Sequence, residues 1–369
     1  MTEPAPGAPL APLTTLRLGG PARRLITATT EAELVDAVRT ADGAGEPLLV
    51  LAGGSNLVIA DAGWDGTVVR VATAGIEVRT GSGGPAQVRA AAGESWDGLV
   101  ARLVADGLAG VECLAGIPGS TGATPIQNVG AYGQEVSGSL AAVRVLDRVS
   151  GAVEELAPAD CGLRYRTSIF KRSERHVVLA VTFALERSAL SEPIRYTELA
   201  RSLGVEEGDK VPLAEARAAV LELRRAKGMV LDAADHDTWS AGSFFTNPIL
   251  ERARFATLEA RAGDAGAPPR FAERDGRVKT SAAWLIERAG FRRGDARGGI
   301  ALSGKHALAL TNRGAGTTTE LVAFAGEIAQ AVDARFGVRL QPEPVFAGVA
   351  WDAFGGEAAG GRSTSRRGR

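Results

Sequence analysis

Ala115-Gly116-Ile117-Pro118-Gly119-Ser120-Thr121-Gly122-Ala123-Thr124-Pro125-Ile126-Gln127-Asn128-Val129-Gly130-Ala131-Tyr132-Gly133-Gln134 runs for twenty residues without one charge, and five of them are glycine. It is too long for an ordinary connection, whose median length is about four to six residues. It is also too poor in charge for a disordered linker. Glycines let the backbone come close to a ligand and aim N–H groups at it. Ser, Thr, Gln and Asn side chains add polar contacts. The stretch reads as a cradle for a diphosphate and a polar heterocycle, ahead of a generic surface loop.

Upstream, the apolar run Leu48–Ala52 empties into a second small-residue turn, Gly53-Gly54-Ser55-Asn56-Leu57. This is no Rossmann fingerprint: G-x-G-x-x-G is absent, and a strand-like segment follows instead of a helix. Alone it reads as a tight strand-to-strand turn. Between the two loops, Trp96–Ala105 carries Leu99, Val100, Leu103 and Val104 at helical spacing, with Ser95 as N-cap and Gly107 as stop. Glu31–Arg39 predicts a short helix, and Val68–Val71, Val88–Ala92, Ala142–Leu146 and Val177–Leu185 predict strands. Further on, Pro212 opens a helix to Lys227, and Ser281–Ala289 predicts another. A strand is expected at Ala307–Thr311, then a helix at Thr318–Phe336 with a capping box of Thr317 and Glu320, and a closing strand near Val345. The fold class is α+β.

Composition removes whole classes of chemistry. The 369 residues hold 42 basic and 43 acidic side chains, three histidines and two cysteines. Cys113 and Cys161 cannot build a disulfide framework or a Cys₄ site, and the scattered His176, His236 and His306 exclude a His-rich metal centre, so no metal is expected. Near-neutral charge argues against nucleic-acid or membrane-surface binding. No run reaches the roughly 18 apolar residues of a membrane span. The N-terminus lacks the basic and apolar regions of a secretory signal, which makes a reducing cytoplasm the expected address. Only five of the basic residues are lysines. Glycine stands out at 47 residues, nearly twice the usual share of about 7%.

Five strings occur in order: GGSN, IPGSTGATPIQNVGAYG, LRYRTSIFK, AGSFFTNP and QPEPVF. Together they resemble the bacterial UDP-N-acetylmuramate dehydrogenases, also called UDP-N-acetylenolpyruvoylglucosamine reductases, from about Leu16 to about Gly348. The resemblance implies an FAD-binding fold of the VAO/PCMH type, with two α+β subdomains and a C-terminal α+β substrate-binding domain. It implies FAD as cofactor, NADPH as hydride donor and a nucleotide-sugar enolpyruvyl ether as substrate, reduced for peptidoglycan precursor synthesis. Cofactor contacts would come from Gly53, Gly54, Ser55, Asn56 and Leu57. The second loop would add Pro118, Gly119, Gly122, Ala123, Thr124, Gln127, Asn128, Gly130, Ala131, Tyr132 and Gly133.

Reducing an enolpyruvyl group adds hydride to one alkene carbon and a proton to its neighbour, while charge builds on the carboxylate. The site therefore needs a cationic clamp and a proton donor. Arg166 offers a planar, permanent fork, although one arginine among many is ordinarily a surface residue. The resemblance makes Arg166 the enolate stabiliser, Ser243 the proton donor and Glu343 the third active-site residue. Prolines on both sides of Glu343 restrict its backbone. Ser243 has no neighbouring histidine in sequence to support a hydrolase nucleophile. The resemblance also places Tyr196, Arg224, Lys227, Asn247 and His306 against the substrate. Arg224 and Lys227 lie three apart on one helix face, where cations also suit the helix dipole. Many relatives carry lysine where this chain has Thr246, and some carry glutamine at His306.

The expected organisation is a loose tail over 1–15, a first FAD subdomain over 16–80 and a second over 81–228. A substrate domain follows over 229–340, then a return of 341–354 to the first subdomain and a basic tail over 355–369. A monomer is expected. Two other readings stay open: another flavin oxidoreductase of the same fold acting on a hydroxy acid or sugar alcohol, or a flavin- or nucleotide-sugar-binding protein without turnover.

Overall fold

The structure is a computed structural model and describes residues 5–81 and 84–354. The basic tail at 355–369 lies outside the described residues. Residues 5–15 correct the expectation of a loose start. Ala5–Pro9 is an edge strand antiparallel to Pro21–Ala28, Leu10 is fully buried, and the Thr15 hydroxyl donates to the Ser240 carbonyl at 2.7 Å. Prolines fit there because an edge strand leaves one row of backbone groups unpaired in the sheet.

The first sheet has the order Ala5–Pro9, Pro21–Ala28, Trp64–Val71, Leu48–Leu51, with the last two pairings parallel. Helix α1 (Glu31–Gly43) supplies the crossover between the second and fourth of these strands. It runs one turn past the expected Arg39. Its cap is Thr30, whose hydroxyl accepts from the Glu33 N–H.

The second sheet is antiparallel, in the order Val153–Leu156, Leu140–Asp147, His176–Arg187, Ala86–Ala91, Ile76–Arg79. Because Ile76–Arg79 pairs here, the change of sheet falls at 72–75, before the expected division at 80. Leu34 and Val38 of α1 share one buried core with Val88, Val143 and Val181 of this sheet, so the two sheets do not have separate interiors. Helix α2 (Trp96–Ala105) packs on that core through Trp96, Leu99, Val100 and Leu103, capped by the Ser95 hydroxyl accepting from Gly98. Short helix α3 (Thr197–Leu203) and helix α4 (Leu213–Ala226) close the same core through Leu199, Ala216, Val220 and Leu221.

A second core is built by α5 (Arg252–Ala262), α6 (Ala282–Arg288) and α7 (Thr318–Phe336) around two small three-stranded sheets. In α7, Leu321, Phe324, Ile328 and Val332 are wholly buried, and the Thr317/Glu320 capping box starts the helix. The strand expected at Ala307–Thr311 is shorter and later, Leu310–Asn312. The Ser303 hydroxyl accepts from the N–H groups of Lys305 and His306, at 3.0 and 3.3 Å, and so makes the preceding residues a turn.

Two devices bring this part to the first. Asp61 accepts from the Thr318 and Thr319 N–H groups at the start of α7, at 2.7 and 2.8 Å. The closing strand Val345–Ala347 lies parallel to Leu57–Ile59, which carries Glu343 back beside the Gly53 turn.

Candidate active site

The two glycine loops meet backbone to backbone. A Cβ on Gly53 would stand 2.6 Å from the Gly119 Cα, and one on Gly54, at φ +61°, would stand 2.0 Å from the Leu13 carbonyl oxygen. No other residue fits that contact unchanged. Beside the contact lies a cavity of about 300 Å³ lined by Gly53, Arg70, Thr73, Glu94, Gly119 and Ser120. The Ser120 hydroxyl is buried there without a hydrogen-bond partner. An orphaned hydroxyl at the junction of two glycine turns is what a phosphate oxygen would satisfy.

The rest of the long loop divides its labour. Its N-terminal half is pinned to the second sheet: Thr121 and Gly122 donate to the carbonyls of Glu94 and Ala92, at 2.8 Å each, and the Thr124 hydroxyl donates to Thr121. The N–H groups of Thr121 and Gly122 are therefore spent on shape. Its C-terminal half reaches a carboxylate cluster. Gln127 donates to Glu343 Oε1 at 3.1 Å and accepts from Asn56 at 3.0 Å. Asn128 is buried at φ +44° and donates to Glu135 and to the Arg164 carbonyl.

Arg166, at φ +52°, donates to the carbonyls of Gly130 at 2.6 Å and Asn128 at 3.3 Å, while its Nε lies 3.8 Å from Glu343 Oε1. Lys171 Nζ donates to the Arg166 carbonyl at 3.0 Å. Burial pushes the Glu343 carboxyl above its usual range, opposed by Arg166, Lys171 and the Gln127 hydrogen bond. Burial also holds the Lys171 ammonium below its ordinary value. Tyr165 lies under two cations, Arg166 and Lys279, at 5.4 and 5.0 Å from its ring centroid.

Ser243 follows Gly242 (φ +74°) and precedes the buried Phe244 and Phe245. The Glu343 N–H donates to the Phe244 carbonyl at 2.8 Å, so the segments bearing Ser243 and Glu343 are adjacent strands of backbone. Ser243 Oγ lies 3.4 Å from His306 Nε2. A third group lies at the ends of α3 and α4. The rings of Tyr132 (φ +48°) and Tyr196 meet edge to face at 5.4 Å, and Lys227 Nζ sits 5.7 Å from the Tyr132 centroid while pairing with Glu198.

Two expected substrate contacts also carry structural bonds. Arg224 is partly buried, donates to the Met229 carbonyl at 2.9 Å and is pushed down to about 10 by desolvation, while its Nε has no partner. Asn247 Oδ1 accepts from Ala282 at the start of α6, at 3.0 Å, which leaves only its amide N–H groups to face a ligand. Lys171, Tyr165, Lys279 and Glu198 join the site without having been singled out in sequence. Lys171 could have been: it is one of five lysines and lies inside LRYRTSIFK. Cys113 and Cys161 are buried, with thiols pushed up to about 12 and about 11 by burial, which keeps both out of nucleophilic chemistry.

Comparison with known proteins gives first the class. A family model for the FAD binding domain matches residues 22–157, which contain the Gly53 turn and the long loop. The model for the C-terminal domain of UDP-N-acetylenolpyruvoylglucosamine reductase matches residues 233–347. Reductases of that name from Streptomyces coelicolor and Salinispora arenicola are 59% and 58% identical, covering 93% and 92% of this chain and 90% and 95% of their own. The chain belongs to the UDP-N-acetylenolpyruvoylglucosamine reductase family. The crystal structure of the Thermus caldophilus reductase shares its fold, with a TM-score of 0.63 at 24% identity over 94% of this chain and 98% of that one.

Proposed function

We propose that this chain reduces UDP-N-acetylglucosamine enolpyruvate to UDP-N-acetylmuramate with Arg166, Ser243 and Glu343 in the roles of clamp, proton donor and acid. The protein is an FAD-dependent oxidoreductase of peptidoglycan precursor synthesis, and the family uses NADPH. Its residues fit the cofactor: the glycine junction and the Ser120 hydroxyl suit a diphosphate. When bound, FAD supplies the hydride; everything else falls to side chains.

One observation supports the roles above all. A largely buried carboxyl with a raised pKa sits 3.8 Å from an arginine that two carbonyls hold in place, on backbone hydrogen-bonded to the residue after Ser243. Arg166 is thereby aimed to stabilise an enolate, where preorganised charge is worth most. Glu343 holds a proton more readily than an exposed glutamate does, which fits polarising the enolate through a hydrogen bond. The Ser243 hydroxyl, backed by Phe244 and Phe245, delivers the proton to carbon. Tyr196 and Lys227 lie where we place an anionic nucleotide sugar, and the Tyr196 ring, packed edge to face on Tyr132, is 44% exposed to a ligand.

The test is a stopped-flow trace of NADPH-reduced protein mixed with the enolpyruvyl nucleotide. Ser243→Ala should accept hydride from NADPH at the parent rate yet reoxidise with substrate about 100-fold or more slowly, the usual scale for general acid catalysis. Parent-like reoxidation would remove Ser243 from its role. Among the described residues no helix is long and apolar enough to cross a membrane. The two free, buried cysteines support reading it as a cytoplasmic protein. We read it as a monomer, to be checked by an elution volume matching 38.1 kDa.

A further inference from the structure

Sequence placed His306 against the substrate; the structure turns its ring onto Ser243. Nε2 lies 3.4 Å from Oγ, long for a hydrogen bond, as contacts in a ligand-free site often are before they tighten. The backbone that carries the ring is held in place. The Ser303 hydroxyl accepts from the His306 N–H, the Ala309 N–H donates back to the His306 carbonyl at 3.1 Å, and the Phe244 N–H donates to the Leu308 carbonyl at 2.7 Å. One hydrogen-bonded unit of backbone therefore sets both side chains.

The groups around the ring decide its charge. Burial acts first, and then the cations Lys227, Arg293 and Arg224, so the imidazole is pushed down to about 4. Of these cations, Lys227 is itself paired with Glu198, and on the segment before the ring Gly304 and Lys305 bond Asp237 and Asp235. A neutral imidazole keeps one N–H and one lone pair, so it can either accept from the serine hydroxyl or donate to its oxygen.

We infer that His306 is a positioning residue for Ser243, aiming the hydroxyl before proton transfer and returning a proton to the oxygen afterwards. The inference rests on the reading of Ser243 as proton donor. The Oγ–H bond breaks as the new C–H bond forms on the substrate. The electron pair left on Oγ takes the Nε2 proton of His306, and Nδ1 takes one from water, leaving the ring neutral in its other tautomer. One proton is drawn from solvent, and no electrons beyond those of the family's hydride transfer are needed. Without such a partner, a serine oxyanion would be left uncompensated beside the buried Phe244 and Phe245, where charge is costly.

The experiment follows both half-reactions in His306→Ala, His306→Gln, Ser243→Ala and the Ser243/His306 double variant, each loaded with FAD. His306→Ala should reduce with NADPH within twofold of the parent, which also certifies its fold, but reoxidise with saturating substrate roughly 30-fold more slowly. His306→Gln, whose amide can orient the hydroxyl but not change tautomer, should recover part of that loss and show a larger solvent deuterium effect. The double variant should be no slower than Ser243→Ala alone, since residues acting as a unit are not additive. If Ser243→Ala is slow and His306→Ala is within threefold of the parent, the inference about His306 falls while the serine reading stands. A His306→Ala defect that disappears at higher substrate concentration would make His306 a substrate contact and also overturn it. If Ser243→Ala is itself parent-like, the serine reading fails first.

Discussion

The loop at 115–134 and the pair of segments carrying Ser243 and Glu343 do comparable work by opposite means. The loop is continuous in sequence, and its shape comes from local causes: glycines, missing charge, and N–H groups bonded to Glu94 and Ala92 a short way upstream. The other site joins residues a hundred positions apart through two backbone hydrogen bonds, from Glu343 N–H to the Phe244 carbonyl and from Thr246 N–H to the Gln341 carbonyl. The pairing of Val345–Ala347 with Leu57–Ile59 brings that segment back to the first sheet's loops. Local architecture makes the cradle, and long-range sheet pairing makes the chemistry.

Breaking the cradle should do the most damage. Gly54→Ala puts a side chain 2.0 Å from the Leu13 carbonyl oxygen in a left-handed conformation, which alone costs about 1–2 kcal/mol. The variant should lose most of its bound FAD and melt several degrees lower. Parent-like flavin absorbance and melting temperature would show that the two loops do not depend on this contact.

Breaking the chemistry should leave the cradle intact. Glu343→Gln should keep FAD and NADPH reduction but slow reoxidation by substrate on the order of 100-fold. Its stability carries a sign of its own. A carboxyl whose folded pKa is raised binds its proton more tightly when folded, so that contribution is present below its unfolded value and fades as pH rises through the folded one. The amide cannot ionise. Urea midpoints of the variant relative to the parent should therefore improve from acid toward pH 8; a difference that is flat with pH would mean that Arg166 and Lys171 fully compensate the buried charge.

The smallest effect sharpens the comparison at the entrance. Lys227 is paired with Glu198, both partly exposed, so the pair itself adds little stability. Glu198→Gln should leave melting unchanged within about 0.5 kcal/mol yet bind UDP a few-fold more tightly, because Lys227 no longer exchanges one anion for another. Equal or weaker UDP binding by calorimetry would separate Lys227 from the diphosphate.

Helices with strong local signals were legible from sequence to within a residue or two. α2 carries its cap at Ser95, α7 its capping box at Thr317, and α4 its opening proline at 212. The elements missed were short or lacked such signals. α3 spans seven residues with Tyr196 at its cap position and no side-chain cap bond, and α5 likewise starts uncapped after Glu251. The N-terminal strand was misread because proline and alanine look loose until a neighbouring strand gives them an edge. In the site, motif order named Arg166, Ser243 and Glu343 but could not say that Gln127 would touch Glu343, that Arg224 would bond the Met229 carbonyl, or that His306 would face Ser243.

The sequence by itself determined the two glycine turns and the family-like motifs, and set the expectation of chemistry without thiols or a histidine-rich metal site, because composition and local backbone preference act within a few residues. Only the tertiary structure decided the direction in which burial pushes Glu343 and His306, the meeting of Ser243 with His306, and that of Phe244 with Glu343. Those depend on burial and chiefly on neighbours far away in the chain, and no local pattern encodes them.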